Sequence, residues 1–118
     1  MPQFWSVPKL WLGQTAYVIG GGPSVTQEMV DSLKGRAVVA VNMSYLNAPW
    51  APVLFYADKR WWDREYAERP KVLLGFDGII VTTDLQTEHE KLKHLKRIGP
   101  TNVATGMAKA LDTVAMER

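Results

Sequence analysis

Four short apolar runs, each followed by glycine or a polar residue, constrain the fold more than any other feature of the chain. The runs cover residues 15–19, 37–41, 53–57 and 79–83. They are continuous rather than alternating, and helical stretches separate them, which is typical of parallel strands buried on both faces. We therefore predict a three-layer α/β domain, Rossmann-like, with a mostly parallel sheet of four or five strands.

Helices are predicted between and after these runs. The first covers residues 25–33, with Ser24 or Thr26 as its N-cap. A second helical pattern covers residues 59–66. Apolar residues at helical spacing predict a last helix over residues 105–116.

The secondary structure of two segments is ambiguous, and in a third segment the apolar residues follow no regular spacing. Residues 72–74 fit a strand or a helical turn, and residues 88–98 fit a helix or an edge strand. Residues 1–14 contain two prolines and three large aromatic residues without a clear period, which predicts an irregular N-terminal arm packed on the domain. A chain of 118 residues has the size of one domain. Residues 1–118 are therefore expected to form a single α/β domain.

A glycine-rich turn joins the first run to the first helix. It consists of Gly20, Gly21, Gly22, Pro23 and Ser24. Such a turn directs free backbone N–H groups to one place and lets an anion approach them without a Cβ in the way. Val25 stands where the dinucleotide fingerprint has its third glycine, and the P-loop lysine is missing, so neither motif is matched. We predict that this glycine turn (residues 20–24) binds a phosphate or another anion, the alternative being a tight turn without a ligand.

Polar residues follow the second and third runs. Asn42 closes the second run and Asp58 the third. Ligands of open α/β sheets bind beyond the carboxyl ends of the strands, at a switch in strand order. Asn42 can donate and accept hydrogen bonds, which suits a base or ribose edge. Asp58 suits a ribose hydroxyl or a metal bound to phosphate. The structural alternative for both is to begin a turn or cap a helix.

Arg60, Trp61 and Trp62 follow next to this predicted site. Adjacent helical residues point about 100° apart, so at most one tryptophan can face a ligand squarely. We include Arg60 and Trp61 among the ligand-binding candidates, since an aromatic ring can stack on a base or sugar. His89 and His94 lie in a lysine-rich stretch, which we expect on the surface, at a spacing that does not suit one metal. We predict no metal site, and no catalytic residue is assigned.

Composition excludes several classes of protein. The chain has no cysteine, which excludes disulfides, thiolate metal sites and a cysteine nucleophile and fits a reducing, cytoplasmic setting. Its net charge of +2 gives no reason to expect nucleic-acid binding. No apolar run approaches the roughly 18 residues of a membrane span, and the N-terminus lacks the features of a secretory signal.

Three segments carry a resemblance to known proteins. Residues 18–24, 39–42 and 48–62 resemble a group of uncharacterised phage and prophage proteins. Those proteins are similar to the DUF115 family, which includes 6-hydroxymethylpterin pyrophosphokinases of archaea, and to bacterial sialyltransferases with a Gly-x-Gly-Pro-Ser turn. In the transferases, that turn and an asparagine after the second strand contact the nucleotide donor. The resemblance implies the same role here for Gly20, Gly22, Ser24 and Asn42.

The function implied by this resemblance is binding of a nucleotide or nucleotide sugar by a transferase-like domain, with a divalent metal as an optional cofactor. Two alternatives stay open: a non-catalytic phage accessory or interaction protein, and a pterin or nucleotide pyrophosphokinase. Longer relatives add a strand after the last helix, whereas this chain stops at Arg118. An open sheet edge invites pairing, so we expect a homodimer, with an arm folded back on the edge as the alternative.

Overall fold

A computed structural model describes residues 4–5 and 11–95 of the chain. The described part contains a six-stranded sheet. Its strands are β1 (Phe4–Trp5), β2 (Ala16–Ile19), β3 (Ala37–Val41), β4 (Val53–Tyr56), β5 (Ile79–Thr82) and β6 (Leu92–Leu95). The strand order is β1-β6-β5-β4-β3-β2, and every neighbouring pair is parallel. The predicted α/β fold with a parallel sheet is thus confirmed, and it is compatible with a Rossmann-like arrangement.

Short helices connect the strands. They are α1 (Gln27–Asp31), a 3₁₀ helix (Asn42–Leu46), α2 (Lys59–Glu68) and α3 (Pro70–Leu74). Thr26 is the N-cap of α1, since its Oγ1 accepts a hydrogen bond from the backbone N–H of Met29 at 3.2 Å. Ser24 therefore does not cap this helix, which is also shorter than predicted. No helix within the described ranges is long and apolar enough to cross a membrane.

The sheet winds in one direction from β2 to β6. Parallel crossovers are almost always right-handed, so successive steps in one direction bring the connecting segments to the same face. In agreement, side chains of these segments pack with sheet residues in a single cluster. They include Val30, Tyr45, Trp62 and Leu73, packed with Val38, Leu54, Tyr56 and Ile80. This helix-covered face holds the larger part of the described core.

The opposite face carries a second buried cluster, formed by Val39, Val53, Phe55 and Val81. Trp11 packs against it. Burial on both faces explains why the runs that form β3, β4 and β5 are continuously apolar. Strand β2 lies at the edge of the sheet, and its Val18 is exposed. The third layer stays a prediction, because the helix predicted over residues 105–116 lies outside the described residues.

The structure changes the expectation for the N-terminal arm and resolves the two ambiguous segments. Phe4–Trp5 forms β1, parallel to β6, so the N-terminal arm is not irregular throughout. Residues 92–95 are a strand inside the sheet, not a helix or an edge strand. Leu92 and His94 are buried while Lys91 and Lys93 are exposed, which is the alternation of a strand. The exposed lysines made this pattern hard to recognise in the sequence. The ambiguous residues 72–74 are helical and belong to α3.

A buried carboxylate holds α2 in place. Glu65 is completely buried. Its carboxylate accepts hydrogen bonds from Tyr45 Oη at 2.6 Å and from the guanidinium of Arg69. Burial alone would raise the pKa of Glu65, but the hydrogen bonds from Arg69 and Tyr45 outweigh it, and the net pKa is lowered. Glu65 is therefore ionised at neutral pH, and it connects α2 to the 3₁₀ helix through Tyr45.

Replacing this carboxylate should destabilise the protein. Glu65→Gln keeps the size of the side chain but removes the charge-assisted bonds, so we expect the free energy of unfolding to fall by about 2 kcal/mol. Glu68→Gln is the matched control, because Glu68 contacts the same Arg69 from an exposed position and should cost under about 1 kcal/mol. Denaturant unfolding at pH 7 measures both, and equal losses would contradict the role given to Glu65.

The buried Glu65 also predicts that the stability of the protein depends on pH. Because the folded-state pKa of Glu65 is lowered, its stabilisation is complete above the unfolded pKa of about 4.3 and is lost as the pH falls through the folded value. The stability difference between the wild type and Glu65→Gln should therefore be largest at neutral pH and shrink below about pH 4. Unfolding measured from pH 7 to pH 3 tests this, and a constant difference would contradict it.

Candidate functional site

The predicted site residues meet at one edge of the sheet. All pairs are parallel, so the carboxyl ends of the strands lie together, and we call this side the carboxyl edge. Gly20 follows β2, Asn42 follows β3, and Asp58 follows β4 after one residue. The register pairs Ile19 with Ala40, which places Gly20 level with the end of β3. The sheet therefore brings the three positions to one edge, but its order runs in one direction from β2 to β6, so no switch in strand order lies beside them.

A cleft of about 510 Å³ opens beside the carboxyl ends of β3 and β4. We call the apolar part of its lining the floor; it consists of Val41, Phe55 and Ala57. We call the polar and aromatic part the rim; it consists of Asn42, Asp58, Arg60, Trp61 and Arg64. Ligand clefts of about 300–1,000 Å³ are typical for small molecules. Four predicted ligand-binding residues thus line one cleft of suitable size.

The glycine turn is a neighbour of this cleft, not part of its lining. Gly20, Gly21, Gly22 and Ser24 are exposed and lie at the end of β2. None of the three glycines has a positive φ, and a Cβ built on any of them meets no atom within 4 Å. Neither backbone conformation nor close packing explains the glycines. The turn is open to an approaching molecule, but α1 behind it has only five residues.

Asn42 has a structural role as well as a place in the cleft. Its φ is +54°, in the left-handed region that asparagine tolerates better than most residues. This conformation turns the chain directly from β3 into the 3₁₀ helix. The turn-forming alternative considered for Asn42 is therefore correct for its backbone, while its side chain lines the cleft.

Asp58 caps α2 and binds Arg60. Its Oδ1 accepts a hydrogen bond from the backbone N–H of Arg60 at 2.9 Å. Its Oδ2 lies 2.9 Å from Nη2 of the same residue. These bonds from Arg60 lower the pKa of Asp58. The helix-cap alternative for Asp58 is confirmed, and its charge is largely balanced by Arg60.

The two tryptophans of α2 are divided between the cleft and the core. Trp61 lines the cleft, whereas Trp62 is buried. Both rings stack on Tyr56, with centroids 5.1 Å and 5.6 Å from its ring. The prediction that only one of the pair would face the site is confirmed. Tyr45 meets the Trp61 ring edge-on at 6.0 Å, so the aromatic wall of the cleft is supported from behind.

The sequence analysis missed Arg64 and the apolar floor. Arg64 lies four residues after Arg60 and three after Trp61, so all three share one side of α2. The helical spacing of these residues could have identified Arg64 as a site residue from the sequence. Val41 and Phe55 belong to predicted strands, but the face they share follows only from the register that pairs them.

The helix-covered face is polar near the carboxyl edge. The register aligns Tyr56 with Thr82 and Thr82 with His94, and all three are buried. Tyr56 Oη lies 3.4 Å from Oδ2 of the buried Asp84, and burial raises the pKa of Tyr56. His94, expected on the surface, is thus in the core. No group of three or more His, Asp or Glu side chains that could hold a metal occurs within residues 11–95.

Comparisons of the chain with protein-family models, with curated proteins and with solved structures found no match. The resemblance described above therefore stays a prediction. The geometry of the site is what remains for a functional argument: an apolar floor, an aromatic wall, one amide and three charged groups.

The left-handed conformation of Asn42 predicts how this position tolerates substitution. Asn42→Ala should lower the free energy of unfolding by about 1 kcal/mol, because alanine disfavours a positive φ. Asn42→Gly removes the same amide but accepts this conformation, so its stability should be close to that of the wild type. Denaturant unfolding compares the two variants. Equal stabilities would show that the backbone at residue 42 is not held in this conformation.

Proposed function

We propose that this domain binds a nucleotide or a nucleotide sugar at the carboxyl edge of its sheet. The observation that carries the proposal is the combination, in one cleft of about 510 Å³, of an apolar floor with Trp61, Asn42 and two arginines. Ligand sites generally pair a mostly apolar lining with a few polar groups that fix orientation. A ring system with attached anionic groups is the ligand that uses all of these features.

Each part of the cleft suits one part of such a ligand. The side chains of Val41, Phe55 and Ala57 offer an apolar surface for a base or sugar ring, and Trp61 offers an aromatic face. The Asn42 amide can donate one hydrogen bond and accept another, as base and ribose edges require. Recognition of the nucleoside by Asn42 is thus part of the proposal.

The glycine turn supplies the second half of the proposed site. Neighbouring strands lie about 4.8 Å apart, so the turn after β2 is within the reach of a phosphate attached to a ligand beside β3. The turn is exposed, and Cβ positions at Gly20, Gly21 and Gly22 point into open space. In the proposal, the backbone of this turn holds an anionic group of the ligand.

The proposal is limited to binding. A transferase-like reaction is implied by the resemblance, but neither histidine is placed to act in the cleft. His94 is buried on β6, and the His89 ring packs against Trp62 and Tyr66. Nucleotide binding would count against a purely interacting protein, whereas it would not distinguish a transferase-like domain from a pyrophosphokinase.

A thermal-shift panel of nucleoside mono- and diphosphates and nucleotide sugars tests the proposal. A ligand at a hundred times its Kd stabilises the folded state by about 2.7 kcal/mol and raises its Tm. Asn42→Gly, which preserves the backbone, should weaken binding about fivefold, the effect of one neutral hydrogen bond. If no member of the panel raises the Tm at millimolar concentration, the proposal is wrong.

The glycine turn can be tested without harming the fold. Gly22→Val should leave the Tm of the free protein nearly unchanged, because a Cβ at this exposed position has no described atom within 4 Å. The same branched side chain would block a phosphate from the backbone, so we expect at least tenfold weaker nucleotide binding. Gly22→Ala, with a smaller obstruction, is the graded control, and titration calorimetry measures both. If Gly22→Val binds the nucleotide with wild-type affinity, the anion is not bound at the glycine turn.

A further inference from the structure

Two arginines of α2 line the cleft in different electrostatic situations. Arg60 forms an ion pair with Asp58, whose carboxylate accepts bonds from both Nε and Nη2 of the guanidinium. Arg64 lies one helical turn further along. Of the described carboxylates, none forms an ion pair with Arg64.

The acidic residue that follows Arg64 in the sequence, Glu65, is already engaged. Arg64 lowers the pKa of Glu65 through its charge. The Glu65 carboxylate, however, is buried and bonded to Arg69 and Tyr45. The other acidic residues of α2 are paired as well, Asp63 with Lys59 and Glu68 with Arg69. Among the described residues, Asp58 offsets only Arg60 and no carboxylate pairs with Arg64, so the described lining of the cleft carries a net positive charge.

We infer that Arg64 binds a phosphate of the ligand, so that the cleft selects phosphorylated ligands over neutral nucleosides and sugars. This inference rests on the proposed function for the ring-binding part of the cleft. It adds a contact between the side chain of Arg64, on α2, and the charged phosphate of the ligand. This contact is separate from the one proposed for the glycine turn.

The chemistry of the guanidinium supports a phosphate as the partner. Arginine presents a planar fork of N–H donors that can bond two phosphate oxygens at once. Trp61 lies three residues before Arg64 on the same side of α2, so a ring on the aromatic wall would bring its phosphate towards Arg64. Arg64 is exposed, and its attraction for an anion should weaken as salt is added.

Titration calorimetry on the whole chain tests the inference with three variants. The probes are the four common ribonucleosides, their 5′-mono- and diphosphates, and inorganic pyrophosphate as an anion without a base. Arg64→Gln removes the charge, and Arg64→Lys keeps the charge without the fork. Arg36→Gln removes the same charge just before β3, at the opposite edge of the sheet. Denaturant midpoints of the three variants, all at exposed positions, confirm that each is folded.

We expect Arg64→Gln to bind the best nucleotide at least about tenfold more weakly than the wild type. Binding of the corresponding nucleoside should be unchanged. Arg64→Lys should be intermediate, and Arg36→Gln should match the wild type. A higher salt concentration should reduce the nucleotide affinity of the wild type more than that of Arg64→Gln.

The outcomes separate the inference from the proposed function. Nucleotide binding that is equally tight in Arg64→Gln and the wild type overturns the inference and leaves the proposed function in place. Pyrophosphate binding that is lost in Arg64→Gln, without any nucleotide binding, supports the phosphate contact and overturns the proposed function. Equal losses in Arg64→Gln and Arg36→Gln would show a general charge effect and also overturn the inference.

Discussion

The hydrogen bond from Tyr45 to the buried carboxylate of Glu65 joins the two sides of the cleft. Tyr45 belongs to the 3₁₀ helix that begins at Asn42, and Glu65 belongs to α2. Because the bond is 2.6 Å long and fully buried, it sets how far α2 lies from the end of β3. Arg69 completes the network and compensates for the buried charge. The geometry of the candidate site depends on this contact.

Aromatic packing on Tyr56 completes the placement of α2. The Trp61 and Trp62 rings both stack on the Tyr56 ring at the end of β4. Trp62 contributes to the core, while Trp61 ends at the cleft. A pocket wall built on a buried ring is pre-organised, and pre-organisation lowers the entropic cost of binding a ligand. The same contacts that stabilise the fold thus prepare the site.

The sequence predicts the strands well and the site in part, for physical reasons. Strands β2 to β5 follow from continuous apolar runs, and Asn42 and Asp58 follow from the polar residues that close two of them. Strand β6 was one of two alternatives for residues 88–98, because the lysines around the buried Leu92 and His94 also fit an exposed helix.

Other features depend on contacts that no local pattern reveals. Glu65 resembles any exposed carboxylate on a helix, yet it is buried because Tyr45, twenty residues earlier, supplies its partner. Arg64 stands out only after its neighbours on α2 are found paired, and the positive φ of Asn42 follows from the turn after β3. The short length of α1 and the exposure of the glycine turn likewise could not be predicted from the sequence and are known only from the structure.

A nitrogen–proton correlation NMR titration with the tightest-binding nucleotide would test the central claim, that the cleft beside α2 is the ligand site. The side-chain signals of Asn42, Trp61 and Arg64 can each be followed. We predict that these three shift with ligand concentration, while the indole signal of Trp50, which is half-buried and does not line the cleft, stays in place. Saturable binding that leaves the Asn42 and Arg64 signals unchanged would contradict it.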